Sequence, residues 1–494
     1  MGQPNQVFII GAGFSKWISS QMLTADELGK KVVENFKSKE SLIPEEYITN
    51  LFESWLTRLA DEQPYNSQDE VLSRKSLFLQ IANEVATVME QQVTSITASD
   101  NWICYNLVKL IRILHANRSK VISYNYDTLI EHSVDRIGPL DISDWESPVT
   151  YLDVVGFLPK LVGCEYTSYS NTFEILKLHG SIDCWWVPND NVGDTIVRLH
   201  YFGEPNPSFL ESSRYSNSFH YSTGEQQPQF VNKLTVEQVR NKYVPGKERL
   251  IVPPITGKSA FYSNPIMRQI WNQARKAIAS ADEIHLVGYS LPSADVSSIG
   301  LLREYINSNT KVIIANTEAD QVRKTILDNS IAIKDNVVIY QDIDSWIDNL
   351  ESKMIERAVY ELNNILEKKL VENGRSRVAV NCNHNGAILV TDLMKKDGIL
   401  ILHLASGCDP KPLRYLAIHG CPQSQGSNVE PKTSVSLRDI ADKLKGIKEI
   451  VANFNDHQYK IIDVNFTPFL IGGTPRPYML VFSPSMTIGL NNET

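Results

Sequence analysis

Cysteine is scarce in this chain and poorly spaced for its usual structural roles: there are six in 494 residues, at Cys104, Cys164, Cys184, Cys382, Cys408 and Cys421, with no C-x-x-C pair. That distribution argues against a disulfide framework and a zinc ribbon, and makes a reducing compartment the expected home. Long apolar runs are missing too. None approaches the roughly 18 residues of a membrane-spanning helix, and the stretch Val7 to Ile10 is too short, and lacks the basic flank, for a signal peptide. A cytoplasmic protein without membrane association is expected. Nor is there an excess of positive charge: the formal net charge is −9. A phosphate-binding chain normally clusters Lys and Arg, so direct nucleic-acid binding is not expected. The charge is uneven, with a net of +3 on residues 375–494 and −12 on the first 374, which points to separate domains.

The length allows two to four domains at roughly 100–200 residues each. Gln6-Val7-Phe8-Ile9-Ile10 is an apolar, β-type run followed at once by Gly11-Ala12-Gly13-Phe14-Ser15, which reads as strand, tight turn, helix. Between about 26 and 115, apolar residues recur at helical spacing, as in Leu28, Val32, Val33 and Phe36, and predict a helical insertion. A strand over 120–124 ends in Asn125-Tyr126-Asp127, and another over 175–178 ends in His179-Gly180. From there to about 247 the text is rich in Asn, Ser, Tyr and Gln, which predicts long surface loops. Strand and helix then alternate again: 250–252, 266–280, 283–287 before Gly288-Tyr289-Ser290, 296–307, and 311–315 before Asn316. This rhythm predicts an α/β unit over 1–343 built on a doubly wound, Rossmann-like parallel sheet.

Leu350, Met354, Ala358, Leu362, Leu366 and Leu370 recur every four residues, so 344–374 reads as a linking amphipathic helix. Its stripe serves either packing within its own domain or self-association into a homo-oligomer. Residues 375–494 read as a smaller α+β domain. Cys382, His384, His403, Cys408, His419 and Cys421 lie there, but their spacing fits no common zinc motif, and no metal is expected.

Polar clusters at successive strand ends carry the chemistry, because open parallel sheets bind ligands beyond the carboxyl ends of their strands. Glycines at Gly11 and Gly13 would admit a pyrophosphate to the backbone at a helix N-terminus. The full G-x-G-x-x-G fingerprint is not met, since position 16 is Lys. Gly257-Lys258-Ser259 fails as a P-loop, with Val252 where its first glycine belongs. Asn125 is a candidate for orienting a water or a ribose hydroxyl, and Asp127 for bonding a leaving group's amide or balancing developing positive charge, with N-capping of the following helix as the alternative for both. His179 has the side chain of a general base. Asn316 and Glu318 suit ribose hydroxyls, or serve as turn and cap residues.

In order, Gly11-Ala12-Gly13-Phe14-Ser15, Tyr124-Asn125-Tyr126-Asp127, His179-Gly180, Gly288-Tyr289-Ser290 and Asn316-Thr317-Glu318 resemble the five motifs that line the NAD site of sirtuins: GAG-x-S, T-Q-N-x-D, H-G, G-x-S and N-x-E. The chain lacks the deacylase branch's G-I-P-x-F-R string and its four zinc cysteines, and carries Tyr where that branch has Gln. It is more similar to the sirtuin-like effectors of bacterial antiphage defence. That resemblance implies NAD+ as substrate, cleaved to nicotinamide and ADP-ribose. It implies catalysis by Asn125, His179 and Asp127, and cofactor contacts from Gly11, Ala12, Gly13, Phe14, Ser15, Tyr124, Gly288, Ser290, Asn316 and Glu318. It also implies a trigger acting through residues 375–494, such as a cyclic nucleotide or a DNA-translocating ATPase partner. An NAD-dependent protein deacylase and a non-catalytic NAD or ADP-ribose sensor are the alternatives.

Overall fold

The computed structural model describes residues 4–37, 52–99, 101–137, 172–187, 245–258, 261–293, 295–353 and 356, together with isolated strands in the stretches 197–221 and 375–483. Its centre is a six-stranded sheet made from β1 (Gln6–Ile10), β2 (Lys120–Ser123), β3 (Glu174–Lys177), β9 (Glu283–Val287), β10 (Lys311–Ala315) and β11 (Val337–Tyr340). Every pairing in it is parallel. The spatial order is β11-β10-β9-β1-β2-β3. Read from the other edge, this is the doubly wound 3-2-1-4-5-6 order, and the direction of winding switches between β1 and β9. The fold is therefore the expected Rossmann-like α/β sheet.

Parallel strands buried on both faces need apolar residues at every position rather than at alternate ones, and QVFII, EIHLV and KVIIA supply them. Phe8, Ile10, Val121, Ile175 and Ile313 face one core, which also takes residues from α1 (Ala12–Ile18), α2 (Ala25–Lys37), α3 (Phe52–Ala60), α4 (Gln68–Thr97), α5 (Tyr105–Asn117) and α6 (Leu129–Ile137). Val7, Ile9, Ile122, Leu176, Ile284 and Ile314 face the other core, against α7 (Pro265–Ala279), α8 (Val296–Tyr305) and α9 (Ala319–Asp328). The predicted helical stretch is thus α2 to α5. Its 30-residue α4 opens with a capping box between Ser67 and Glu70, and buries Ile81, Val85, Val88 and Met89 on one side.

Two expectations fail around residue 180. The stretch expected as surface loops contains β4 (Gly180–Trp186), β5 (Val197–His200), β6 (Ser208–Glu211) and β7 (His220–Tyr221). The strand expected to continue the parallel sheet, β8 (Glu248–Ile251), instead pairs antiparallel with β4 in a second sheet ordered β7-β6-β5-β4-β8. The chain leaves the first sheet at Gly180, whose φ of 75° is a left-handed conformation that glycine adopts without strain.

A helix over 343–353 begins the linking segment. Trp346 and Leu350 are buried in the β1–α5 core, and Trp346 Nε1 donates to His285 Nδ1 at 3.0 Å, beside a stack of Phe8 on His285. Lys109 pairs with Glu351 at 2.6 Å. The first apolar position of the stripe therefore packs into that core; Met354, Ala358, Leu362, Leu366 and Leu370 lie outside the described residues. Beyond it, β12 (Arg375–Arg377), β13 (Val390–Lys396), β14 (Ile399–Leu404), β15 (Leu416–Ala417), β16 (Ser434–Ser436), β17 (Glu449–Phe454), β18 (His457–Lys460), β19 (Asp463–Thr467) and β20 (Met479–Ser483) form two sheets, ordered β12-β13-β14-β17-β18 and β15-β20-β19-β16. Of the six Cys and His residues noted there, only His403 falls within a described strand.

Candidate active site

The carboxyl ends of β1, β2, β3 and β9 bring most of the sequence-predicted residues together at the switch point. After β1, the chain enters α1 through Gly11, and Phe14 points into the core against Trp17. The turn after β9 lies against this one, backbone on backbone. Gly11 N donates to Val287 O at 3.2 Å and Gly13 N to Gly288 O at 2.9 Å. A Cβ on Gly13 would meet the Gly288 carbonyl, and one on Gly288, at φ 58°, would collide with Phe14 N. These glycines are required by the contact between the two turns. The N–H groups of Gly11 and Gly13 are committed to carbonyls of the protein, which corrects the expectation that both approach a pyrophosphate.

After β2, Asn125 and Asp127 are buried and joined to α1. Asn125 Nδ2 donates to Gly11 O and to Ser15 Oγ, both at 2.8 Å, and Ser15 Oγ donates to Asp127 Oδ2 at 2.6 Å. Because a carbonyl only accepts, Gly11 fixes the amide so that Nδ2 faces it, and Oδ1 makes no hydrogen bond among the described residues. Asp127 Oδ1 accepts from Leu129 N at 3.1 Å, as an N-terminal cap of α6. Both carboxylate oxygens of Asp127 thus hold structure, each with one accepted bond. Beneath them Lys177, missed from the sequence, donates to the Asn125 and Asp127 carbonyls and pairs with buried Glu131 at 3.1 Å.

His179 follows β3 and is 5% exposed. Tyr124 packs edge-on at 5.0 Å between ring centroids and stacks on Tyr289 at 4.4 Å. Burial, with the nearby Lys258 ammonium, lowers the imidazole from its ordinary 6.5 to about 4, against the opposing pull of Asp295 and of a bond to the Tyr124 main chain. His179 is therefore neutral at physiological pH. Its Nε2 is buried and makes no hydrogen bond among the described residues.

Lys258 and Asp295, also missed, form a buried ion pair beside it. Asp295 Oδ1 lies 4.0 Å from His179 Nε2, and Oδ2 accepts from the Tyr289 hydroxyl at 3.0 Å. Glu53 of α3 faces Lys258; burial raises its carboxyl, chiefly, while that ammonium opposes the rise. Lys258 had a signal in the sequence, the P-loop lookalike, and Asp295 had one as the residue before α8; only tertiary pairing gives either a meaning here. Ser290 is exposed at the edge of this group. Asn316 and Glu318 follow β10, where Asn316 Oδ1 accepts from Glu318 N at 3.0 Å in a local turn. Neither shares a side-chain hydrogen bond with the His179 group among the described residues. No metal-binding group of three or more His, Cys, Asp or Glu occurs among the described residues.

No protein-family model and no curated protein matches the chain. Among solved structures, it is similar to Sir2Tm bound to a propionylated peptide, at 13% identity, 71% coverage of this chain and 92% of that one, with a TM-score of 0.30. A second similar structure, described under the structural basis of sirtuin substrate affinity, has 12% identity, 71% and 93% coverage, and a TM-score of 0.30. Likeness at that score carries no argument; the doubly wound fold rests on the strand order itself.

Proposed function

We propose that this chain is a sirtuin-like NAD+ glycohydrolase that converts NAD+ and water to nicotinamide, ADP-ribose and a proton. The observation that carries this reading is the neutral, buried His179, whose free Nε2 stands near the Tyr124–Asp127 segment at the switch point of a doubly wound sheet. Hydrolysis breaks the bond between ribose C1′ and the pyridinium nitrogen. Nicotinamide leaves neutral, taking the bonding pair, and a water oxygen attacks C1′. A neutral imidazole can accept the proton that this water sheds, as an imidazolium cannot. Asn125 Oδ1, as an acceptor, suits a ribose hydroxyl, while Ser15 and Asp127 hold it in place. Excluding bulk water around a developing oxocarbenium strengthens each of these contacts.

In this reading the protein is a cytoplasmic antiphage effector, restrained until triggered. Residues 375–494 receive the trigger, and the active form is a homo-oligomer or a complex with a DNA-translocating ATPase; copurification from infected cells tests these assignments. Purified full-length chain mixed with NAD+ tests the activity. Free ADP-ribose without peptide is expected. Turnover only with an acetylated peptide would make the chain a deacylase, and binding without turnover a sensing subunit.

A further inference from the structure

His179 Nε2 and Asp295 Oδ1 stand 4.0 Å apart, both buried, with no direct hydrogen bond between them. That separation is too long for a hydrogen bond and suits one oxygen atom bonded to both. We propose that this gap seats the attacking water, and that Asp295 is a second catalytic residue, which selects water over alcohols; the inference rests on the hydrolase reading. Each side of the gap presents an acceptor. The neutral imidazole offers the Nε2 lone pair. Asp295 Oδ2 is taken by Tyr289, and Oδ1 by Lys258, which leaves a further lone pair on Oδ1. A water donates one hydrogen to each acceptor and keeps its own lone pairs for C1′. An alcohol has a single O–H, so one buried acceptor would go unmet, a loss of about tenfold or more in occupancy.

When the water attacks, its proton passes to Nε2, the C1′–N bond electrons leave with nicotinamide, and the second hydrogen stays on the new hydroxyl. The imidazolium that forms stands against the Asp295 carboxylate. Lys258 is a positioning residue: it pairs with Asp295 and helps keep His179 deprotonated at rest.

Cleavage in aqueous methanol by the wild-type chain is the first test. Methyl ADP-ribose is expected at least about tenfold below methanol's mole share; a product ratio that follows the mole share would overturn the proposal. Asp295→Asn is expected to lower kcat about 100-fold or more, with KM for NAD+ within about threefold of wild type. Because it leaves Lys258 buried beside a neutral group, the double variant Asp295→Asn/Lys258→Met, which removes both charges, is measured alongside. Wild-type kcat in either folded variant would refute Asp295's role. Absence of NAD+ cleavage by the wild type is a different result, which overturns the functional reading itself.

Discussion

Two buried polar clusters stand side by side at the switch point, and they differ in completeness. In the first, Ser15, Asn125, Asp127 and Lys177 hold one another and the backbone in bonds of 2.6 to 3.3 Å. In the second, His179, Asp295 and Lys258 include a buried Nε2 that no described residue satisfies. Buried polar groups are nearly always paired, so the closed cluster reads as scaffold and the open one as the place where a substrate completes the set. Asn125 belongs to both, because its Nδ2 is fixed within the first while its Oδ1 is left for a ligand.

The sharpest way to break this contrast is to remove the open atom. His179→Ala is expected to reduce NAD+ cleavage at least about 100-fold without unfolding the chain. Circular dichroism with product analysis checks both halves, and near wild-type turnover would end the assignment. Asn125→Ala should likewise abolish cleavage, but as a member of both clusters it also loses the Nδ2 bonds to Gly11 O, which keeps Phe14 N, and to Ser15 Oγ, at a cost of about 1–3 kcal/mol. Lys177→Met strikes the closed cluster alone. It removes the ammonium beside the buried Glu131 carboxylate and from the Asn125 and Asp127 carbonyls, and an unfolding free energy lower by about 3–5 kcal/mol is expected in urea denaturation. Ser15→Ala removes one link between Asp127 and Asn125 and should cost about 1–3 kcal/mol by the same measurement.

The smallest effect is in pH. The folded imidazole of His179 is held to about 4 and the unfolded one titrates near its ordinary 6.5. Between those values the unfolded chain binds more protons, so stability rises with pH, by at most about 1.4 kcal/mol per unit. This contribution is complete above about 6.5 and is lost as pH falls through 4. Urea midpoints from pH 7 to 5 should fall more steeply for wild type than for His179→Ala; parallel slopes would show that the imidazole is not depressed.

Strand ends were legible in the sequence because each is local: an apolar run followed at once by a polar cluster, as at Ile10-Gly11 and Ser123-Tyr124-Asn125. What those clusters do was less legible. Asp127 looks catalytic in the sequence, and its oxygens also accept from Leu129 and from Ser15, 112 residues away, a structural part that no local pattern announces. Gly257-Lys258-Ser259 fails as a phosphate loop, but its lysine reaches Asp295, 37 residues on. The second sheet was missed because β8 is too short to declare its direction, and direction follows from its partner rather than its composition. Glycine in the first turn was expected for a ligand's sake and is required by Gly288, which no local pattern links to Gly13.

The strand order has a consequence in time. β1 is made well before its neighbour β9, yet it lies in the interior of the sheet, and Gln6 finds its partner Glu283 only 277 residues later. At typical rates of synthesis that is a wait of roughly 15 to 55 s. Until then one edge of β1 has no strand beside it, and Gly11 and Gly13 lack the carbonyls that seat their turn. Asn125 and His179 are already made by that stage, but Asp295 comes after β9. The last part of the sheet's centre to be synthesised is therefore also the part that completes the site.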